Sequence, residues 1–323
     1  MTGKSHRIAI LSDYQGVAFQ FADWEPVRRQ AEIVQFSSPF ASIDDAAEQL
    51  AGFSIICAMR ERVPFPEALL ARLPALRCLV TTANINRAID LEAARRLGIV
   101  VSGTRNGDGR RVTAELAWGL ILAAARNLVQ EERSVRAGGW QTGIGTQLHG
   151  GRLGIIGLGE IGEMVAAYGV AFGMEVLAWS ENLTEERAAQ CGARRVSKEE
   201  LLRQSDVVTI HTVLSDRTRG LIGRAELAQM RPSAILVNTS RGAIVDEDAL
   251  VEALASGGIR AAALDAFEQE PLPAGHPYRA LGDRIILSPH IGYVTDEVYR
   301  IFYEDMVEAV LAFLDGSPIR RMA

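Results

Sequence analysis

The sequence predicts an α/β protein of about two domains with parallel sheets, and three observations predict it. The chain has 323 residues, more than the roughly 250 that one hydrophobic core usually serves. Short apolar runs alternate with amphipathic stretches, and parallel strands need such crossovers. Near the middle, "GRLGIIGLGEIGEMVA" sets a glycine-rich turn between an apolar run and a helical pattern.

Taken in order, "RIAIL" (Arg7–Leu11), "FSIICA" (Phe53–Ala58) and "CLVTT" (Cys78–Thr82) read as buried strands. Between them, "SIDDAAEQLAG" has helical spacing behind Ser42 as a cap, and "PEALLARL" opens with Pro66 in a first turn. Residues 1 to about 102 thus form one α/β unit. Val112–Val129 reads as one long helix, apolar on more than one face through Leu116, Trp118, Leu120, Ile121 and Leu122. Such a helix is buried in a core or in an oligomer interface. "AGGWQTGIGTQLHGG" reads as loop. A second alternation starts at Arg152: strand "LGIIGL", a helix near Ile161–Phe172, then strands "EVLAW", "DVVTIH", "AILVN", "RAAALDA" and "RIILS". A last helix over Thr295–Leu314 stops at Gly316 and Pro318.

Composition narrows the function classes. A net charge of −6 argues against a nucleic-acid partner, which would select a basic face. Pairs such as Arg28–Arg29 and Arg95–Arg96 fall on helical patterns and read as solvated faces. No apolar run reaches the roughly 18–20 residues of a membrane span, and the N-terminus shows no secretion signal. Cys57, Cys78 and Cys191 are few, scattered and mostly in apolar surroundings. A disulfide framework or metal site is therefore not expected, and a reducing cytoplasm is.

Gly157, Gly159 and Gly162 fit G-x-G-x-x-G. The first glycine permits the tight turn, the second lets a pyrophosphate approach the backbone, and the third lets helix and strand pack closely. The helix N-terminus, from Glu160 and Ile161, then offers N–H groups and partial positive charge. A dinucleotide is the expected guest, with a purely structural turn as the alternative. An acid should follow about 20 residues on, for the ribose hydroxyls. Glu181, after Ser180, stands there and would repel a 2′-phosphate, so NAD is favoured over NADP.

With the motifs "GIIGLGEIG", "SDVVTIHTVLSDRTRGLI", "LVNTSRGAIVDEDALVEAL", "ALDAFEQEPLP" and "LSPHIGY" in this order, the chain resembles the D-isomer-specific 2-hydroxyacid dehydrogenases, in the branch of phosphoglycerate, glyoxylate–hydroxypyruvate and lactate-type enzymes. The resemblance implies a two-lobed fold: a Rossmann-type doubly wound parallel sheet inserted into a smaller flavodoxin-like substrate domain. The implied parts are residues 1–104, 105–294 and 295–323, with the active site between the lobes and a homodimer as the assembly. It implies hydride transfer between NAD(H) and a small 2-keto or 2-hydroxy acid. With the sequence stopping at Ala323, the further domain of long phosphoglycerate dehydrogenases is expected to be absent.

The residues themselves suit that chemistry. Arg241, in "NTSRG", has a planar, permanently charged fork for a carboxylate and a carbonyl oxygen. His290, in "SPHIG", can give and take a proton near neutrality. Glu270, rather than the neighbouring Glu268, matches the family's acid before a proline. It would fix the imidazole tautomer and stabilise the imidazolium. Glutamate there also speaks against a formate dehydrogenase, where glutamine pairs with the histidine. His211 is left as a structural or cofactor-side residue. Carried over from the family, the cofactor contacts are Gly157, Gly159, Glu160, Ile161, Gly162, Ser180, Glu181, Thr212, Val213, Thr218, Thr239, Asp265 and Gly292. A structural role for Asp265 stays open. Ala83, Asn84 and Arg60 join Arg241 as substrate contacts. Two departures stand out: Ala83 falls where relatives usually place glycine, and Glu160 where many carry arginine. The competing reading from another class is a nucleotide-sensing, corepressor-like binding protein on the same fold.

Overall fold

Five strands of the two sheets are four-residue runs with every position buried: Ile55–Ala58, Cys78–Thr81, Val207–Ile210, Ile235–Asn238 and Ala261–Leu264. Strands apolar on both faces fit a parallel sheet covered on both sides. The computed structural model describes residues 6–322. The sequence reading of the extreme N-terminus therefore falls partly outside the described residues. Of the described residues, those up to Asp108 and from Val294 onward form one compact unit, and Gly109–Tyr293 form the other.

The first unit holds β1 (His6–Leu11), β2 (Ala31–Phe36), β3 (Ile55–Ala58), β4 (Cys78–Thr81) and β5 (Val100–Gly103), all parallel in the order β2-β1-β3-β4-β5. This is the flavodoxin-like order. The Ser42 hydroxyl accepts the Asp45 N–H and starts the helix Ile43–Leu50. Pro66 precedes only a single turn, Glu67–Leu70. The sequence reading passed over β2 and β5. β2 is a half-exposed edge strand, and β5 carries Ser102 and Gly103. The chain returns to this unit through the helix Asp296–Leu314, whose buried face includes Val298, Phe302, Tyr303, Met306 and Val310. Asp305 on that helix is buried and accepts from the Arg105 backbone N–H at 2.7 Å and its guanidinium Nη2 at 2.7 Å.

The second unit holds β6 (Arg152–Ile156), β7 (Glu175–Trp179), β8 (Arg194–Arg195), β9 (Val207–Ile210), β10 (Ile235–Asn238), β11 (Ala261–Leu264) and β12 (Ile285–Leu287). They lie parallel in the order β12-β11-β10-β9-β6-β7-β8. Counted from β6 this is the dinucleotide-fold order with one strand added. The order reverses between β6 and β9, so their loops diverge and leave room for a ligand at the carboxyl edge.

The helix expected over Val112–Val129 is two helices. Gly109–Ala125 packs on β10 and β11, and Leu128–Arg136 follows at 63°. Asn127 breaks the run: its backbone is left-handed at φ 54°, and its Oδ1 accepts from Arg260 at 2.9 Å. Among the described residues no single helix is long and apolar enough to cross a membrane. Cys57, Cys78 and Cys191 are free and buried, and burial pushes the Cys78 thiol up to about 12.

The Asp305 carboxyl is taken out of water, which alone would raise its pKa, but the Arg105 bonds and the nearby Arg320 charge hold it below the usual 3.8. Its depressed value means its stabilisation is present above that usual value and is lost as pH falls through the lowered one. Asp305→Asn should therefore lower the urea midpoint at pH 7. The gap to wild type should close in acid titrations carried below about pH 4.

Candidate active site

Because every strand of the second unit runs parallel, the segments after β6, β9, β10, β11 and β12 all leave from one edge. Those segments carry most of the residues singled out above.

The glycine turn after β6 has a separate reason for each glycine. Gly157 sits at φ +97°, and a Cβ there would lie 2.8 Å from the His211 carbonyl. A Cβ on Gly162 would lie 2.2 Å from the Gly157 carbonyl oxygen, so helix and strand approach too closely for any side chain. Around Gly159 a Cβ would meet nothing within 4 Å. Packing does not demand that glycine, and the open backbone leaves room for a ligand to rest on it. Gly159 caps the helix Glu160–Ala171, whose first N–H groups have no intrahelical acceptor. The fit to a pyrophosphate is thus good in shape and in dipole. Glu160 reaches across to Arg110 and forms an ion pair with its guanidinium.

Ser180 and Glu181 follow β7, with Glu181 exposed. Arg187, the nearest following cation in the chain, is bonded to Glu163 at 2.7 Å. In the loop after β9, Val213 is exposed, and the Thr218 hydroxyl donates to the Val213 carbonyl at 2.7 Å and accepts from the Ser215 N–H at 2.8 Å. Thr212 precedes this loop, half-buried against Gly157. Thr239, after β10, buries its hydroxyl oxygen without a partner.

Asp265, directly after β11, is 1 % exposed. It accepts the Ser288 hydroxyl at 2.5 Å, the Ile291 N–H at 2.9 Å and the Gly292 N–H at 2.9 Å. These donors flank His290 on both sides. Asp265 therefore has the structural role the sequence left open. A side chain on Gly292 would crowd Asp265 and Thr113. Burial raises the Asp265 pKa against these bonds. Held this way, His290 takes a left-handed backbone at φ +53°, a conformation that costs a non-glycine residue about 1–2 kcal/mol.

His290 Nδ1 lies 2.6 Å from Glu270 Oε2, and the other Glu270 oxygen accepts the Phe267 N–H at 2.9 Å. Burial opposes the Glu270 charge, but the His290 bond, that N–H and the positive fields of His290 and Arg241 outweigh it and lower its pKa. An ionised carboxylate only accepts, so Nδ1 is the donor. Nε2 is bonded to no described residue and is left to exchange a proton.

Arg241 follows β10 in a loop shaped by buried Asn238. The Asn238 amide donates to the Arg241 carbonyl at 2.9 Å and accepts from the Ser240 N–H at 2.9 Å. A Cβ on Gly242 would sit 2.0 Å from the Phe267 carbonyl carbon, so only glycine lets the arginine loop meet the glutamate loop. The structure thus brings Arg241, Glu270 and His290 together in one unit. Asn238, Gly242 and Ser288 went unassigned in the sequence reading; for Asn238 and Ser288 the signal was a polar residue closing an apolar strand.

Two other histidines separate themselves. His276 contacts Glu247 at 3.1 Å through Nε2, but its Nδ1 accepts the Tyr278 N–H at 3.2 Å, so neither nitrogen is left for a substrate. His211 is bonded to Thr209 at 2.9 Å, and burial pushes its pKa down to about 3, so it is neutral at physiological pH. Among the described residues no group of three or more histidines, cysteines or acids could hold a metal.

Ala83, Asn84 and Arg60 belong to the first unit. The backbone amides of this loop are already in use: Ala83 N–H donates to Thr104 Oγ1 at 2.7 Å and Asn84 N–H to Asn106 Oδ1 at 3.1 Å. Arg60 lies 3.6 Å from the Glu61 carboxylate. Ala83 itself sits at φ +69°. Left-handed alanine costs about 1–2 kcal/mol, and glycine's extra unfolded-state freedom offsets about 0.5–1. Ala83→Gly should therefore raise the unfolding free energy by up to about 1 kcal/mol, read by urea denaturation.

Comparison with known proteins adds the lineage. The family model for the NAD binding domain of D-isomer specific 2-hydroxyacid dehydrogenases matches residues 118–292, inside the second unit. A glyoxylate reductase of Aeropyrum pernix is 45% identical over 258 residues, spanning 77% of this chain and 76% of that one. A solved phosphoglycerate oxidoreductase of Vibrio cholerae is similar with a TM-score of 0.89 and 34% identity, over 96% of this chain and 99% of that one. A D-lactate dehydrogenase of Aquifex aeolicus, solved with NAD and lactic acid, is similar with a TM-score of 0.75 and 27% identity, over 96% of each chain.

Proposed function

The chain belongs to the D-isomer specific 2-hydroxyacid dehydrogenase family, and we propose that it reduces a small 2-keto acid of the glyoxylate or hydroxypyruvate kind. The reaction class is hydride transfer between NAD(H) and a 2-keto or 2-hydroxy acid. The observation that carries the reading is the open Nε2 of His290, braced by Glu270 within the field of Arg241.

The reduced nicotinamide, when bound, supplies the hydride. Arg241 grips the substrate carboxylate and polarises the keto oxygen. His290 gives its Nε2 proton to the alkoxide as it forms, and Glu270 steadies the imidazole through both protonation states. The keto acid thereby gains one hydride and one proton. Glu181 standing at the end of β7, with Arg187 committed to Glu163, supports NAD over NADP. The Glu61 carboxylate beside Arg60 disfavours a phosphorylated tail and supports a smaller acid. Arg60 and the Ala83–Asn84 loop are the first unit's proposed substrate contacts, through groups other than the two amides already bonded.

A homodimer is supported by large apolar side chains left in solvent on and after the Leu128–Arg136 helix, with Trp140 73% and Ile144 93% exposed. The buried free thiols suit the cytoplasm. A purely nucleotide-sensing protein would have no use for the His290–Glu270 pair, and that alternative is not favoured.

A panel of 2-keto acids run with NADH and with NADPH tests the proposal; cofactor binding without turnover on any of them would reject it. His290→Asn should lower kcat about 10³-fold and leave NADH affinity within about twofold, by stopped-flow and fluorescence titration. Arg241→Gln should raise KM for the keto acid and lower kcat/KM at least about 10²-fold in steady-state assays.

A further inference from the structure

The geometry points to Arg110 as a phosphate-binding residue of this site, held in place by Glu160; the inference rests on the NAD(H) reading above. Glu160 is the first residue of the helix Glu160–Ala171. A carboxylate suits the positive end of a bare helix, but a pyrophosphate needs the same N–H groups and would face a like charge. The turn therefore requires a compensating cation, and Arg110 is the cation that the structure sets against Glu160.

Arg110 comes from the first turn of the Gly109–Ala125 helix. That turn is anchored to the histidine loop, because the Thr113 hydroxyl contacts the Gly292 carbonyl at 3.1 Å. The same helix thus touches both the His290 segment and the glycine turn. The guanidinium has five N–H donors, and Glu160 takes only part of them. The rest can serve phosphate oxygens beside Gly159, where the backbone lies open. Both side chains remain well exposed, at 60% and 65%, so the pair does little for folding and its removal leaves the fold intact. The other arginine near this helix's first turn, Arg187, is bonded to Glu163. Glu160 thus acts as a positioning residue: it keeps Arg110 over the turn and yields donors to the incoming phosphates.

The test compares Arg110→Gln, Glu160→Gln and the double variant. Dissociation constants for NADH come from fluorescence titration and for ADP-ribose from calorimetry, with adenosine as the phosphate-free control. Arg110→Gln should weaken NADH and ADP-ribose about tenfold and leave adenosine within about twofold. Glu160→Gln trades the tether on Arg110 for relief of the like charge and should stay within about threefold of wild type, and the double variant should regain part of the loss because the repelling carboxylate is gone. Equal losses in all three variants would mark a merely structural ion pair and overturn the inference, as would an Arg110→Gln protein within about twofold of wild type. Wild-type protein that bound neither NADH nor ADP-ribose would instead overturn the cofactor reading itself.

Discussion

The Asp265 carboxylate is the contact on which the rest of the site hangs. It sits where β11 ends, out of water, and takes donors from both sides of His290. An imidazole on a left-handed backbone would otherwise relax to a commoner conformation. With the flanking residues stapled, the side chain can point only along the line set by Glu270. Placement of the His290 imidazole is thus set one residue beyond a sheet strand, by a buried carboxyl on a neighbouring loop.

Around this staple, the sheet supplies order and the loops supply charge. Parallel pairing sends these loops to one edge, and four of them bring distinct elements: open N–H groups after β6, a buried hydroxyl and then a guanidinium after β10, the staple after β11 and the imidazole after β12. Close approach between these loops is secured by missing side chains. Gly157 backs onto His211, and Gly242 backs onto Phe267. Two of the basic groups lie against carboxylates, His290 against Glu270 and Arg110 against Glu160.

Much of this was legible because it is periodic or compositional. Buried parallel strands are short apolar runs, and the glycine turn joins such a run to a pattern of period 3.6. Arg241, Glu270 and His290 were readable because each stands at a fixed offset in a motif. What escaped was of another kind. The break at Asn127 depends on a guanidinium more than a hundred positions away, and helical spacing runs straight through it. β2 is a half-exposed edge strand with no continuous apolar signature. The occupied amides of Ala83 and Asn84 depend on Thr104 and Asn106, which no local pattern links to them. Nothing in the string shows that His276 has both nitrogens engaged while His290 has one spare. Long-range pairing of polar atoms decides such questions, and it has no period.

The first unit is interrupted in sequence, and this has a consequence for biogenesis. Its closing helix, Asp296–Leu314, follows the whole of the second unit in the chain. A ribosome working at about 5–20 residues per second needs roughly 10–40 s to traverse the intervening segment. During that interval the nascent β4 and β5 lack the helix that later covers them. The inserted unit, continuous in the chain, can complete its own core first. The interrupted one closes its core only when that helix has been made.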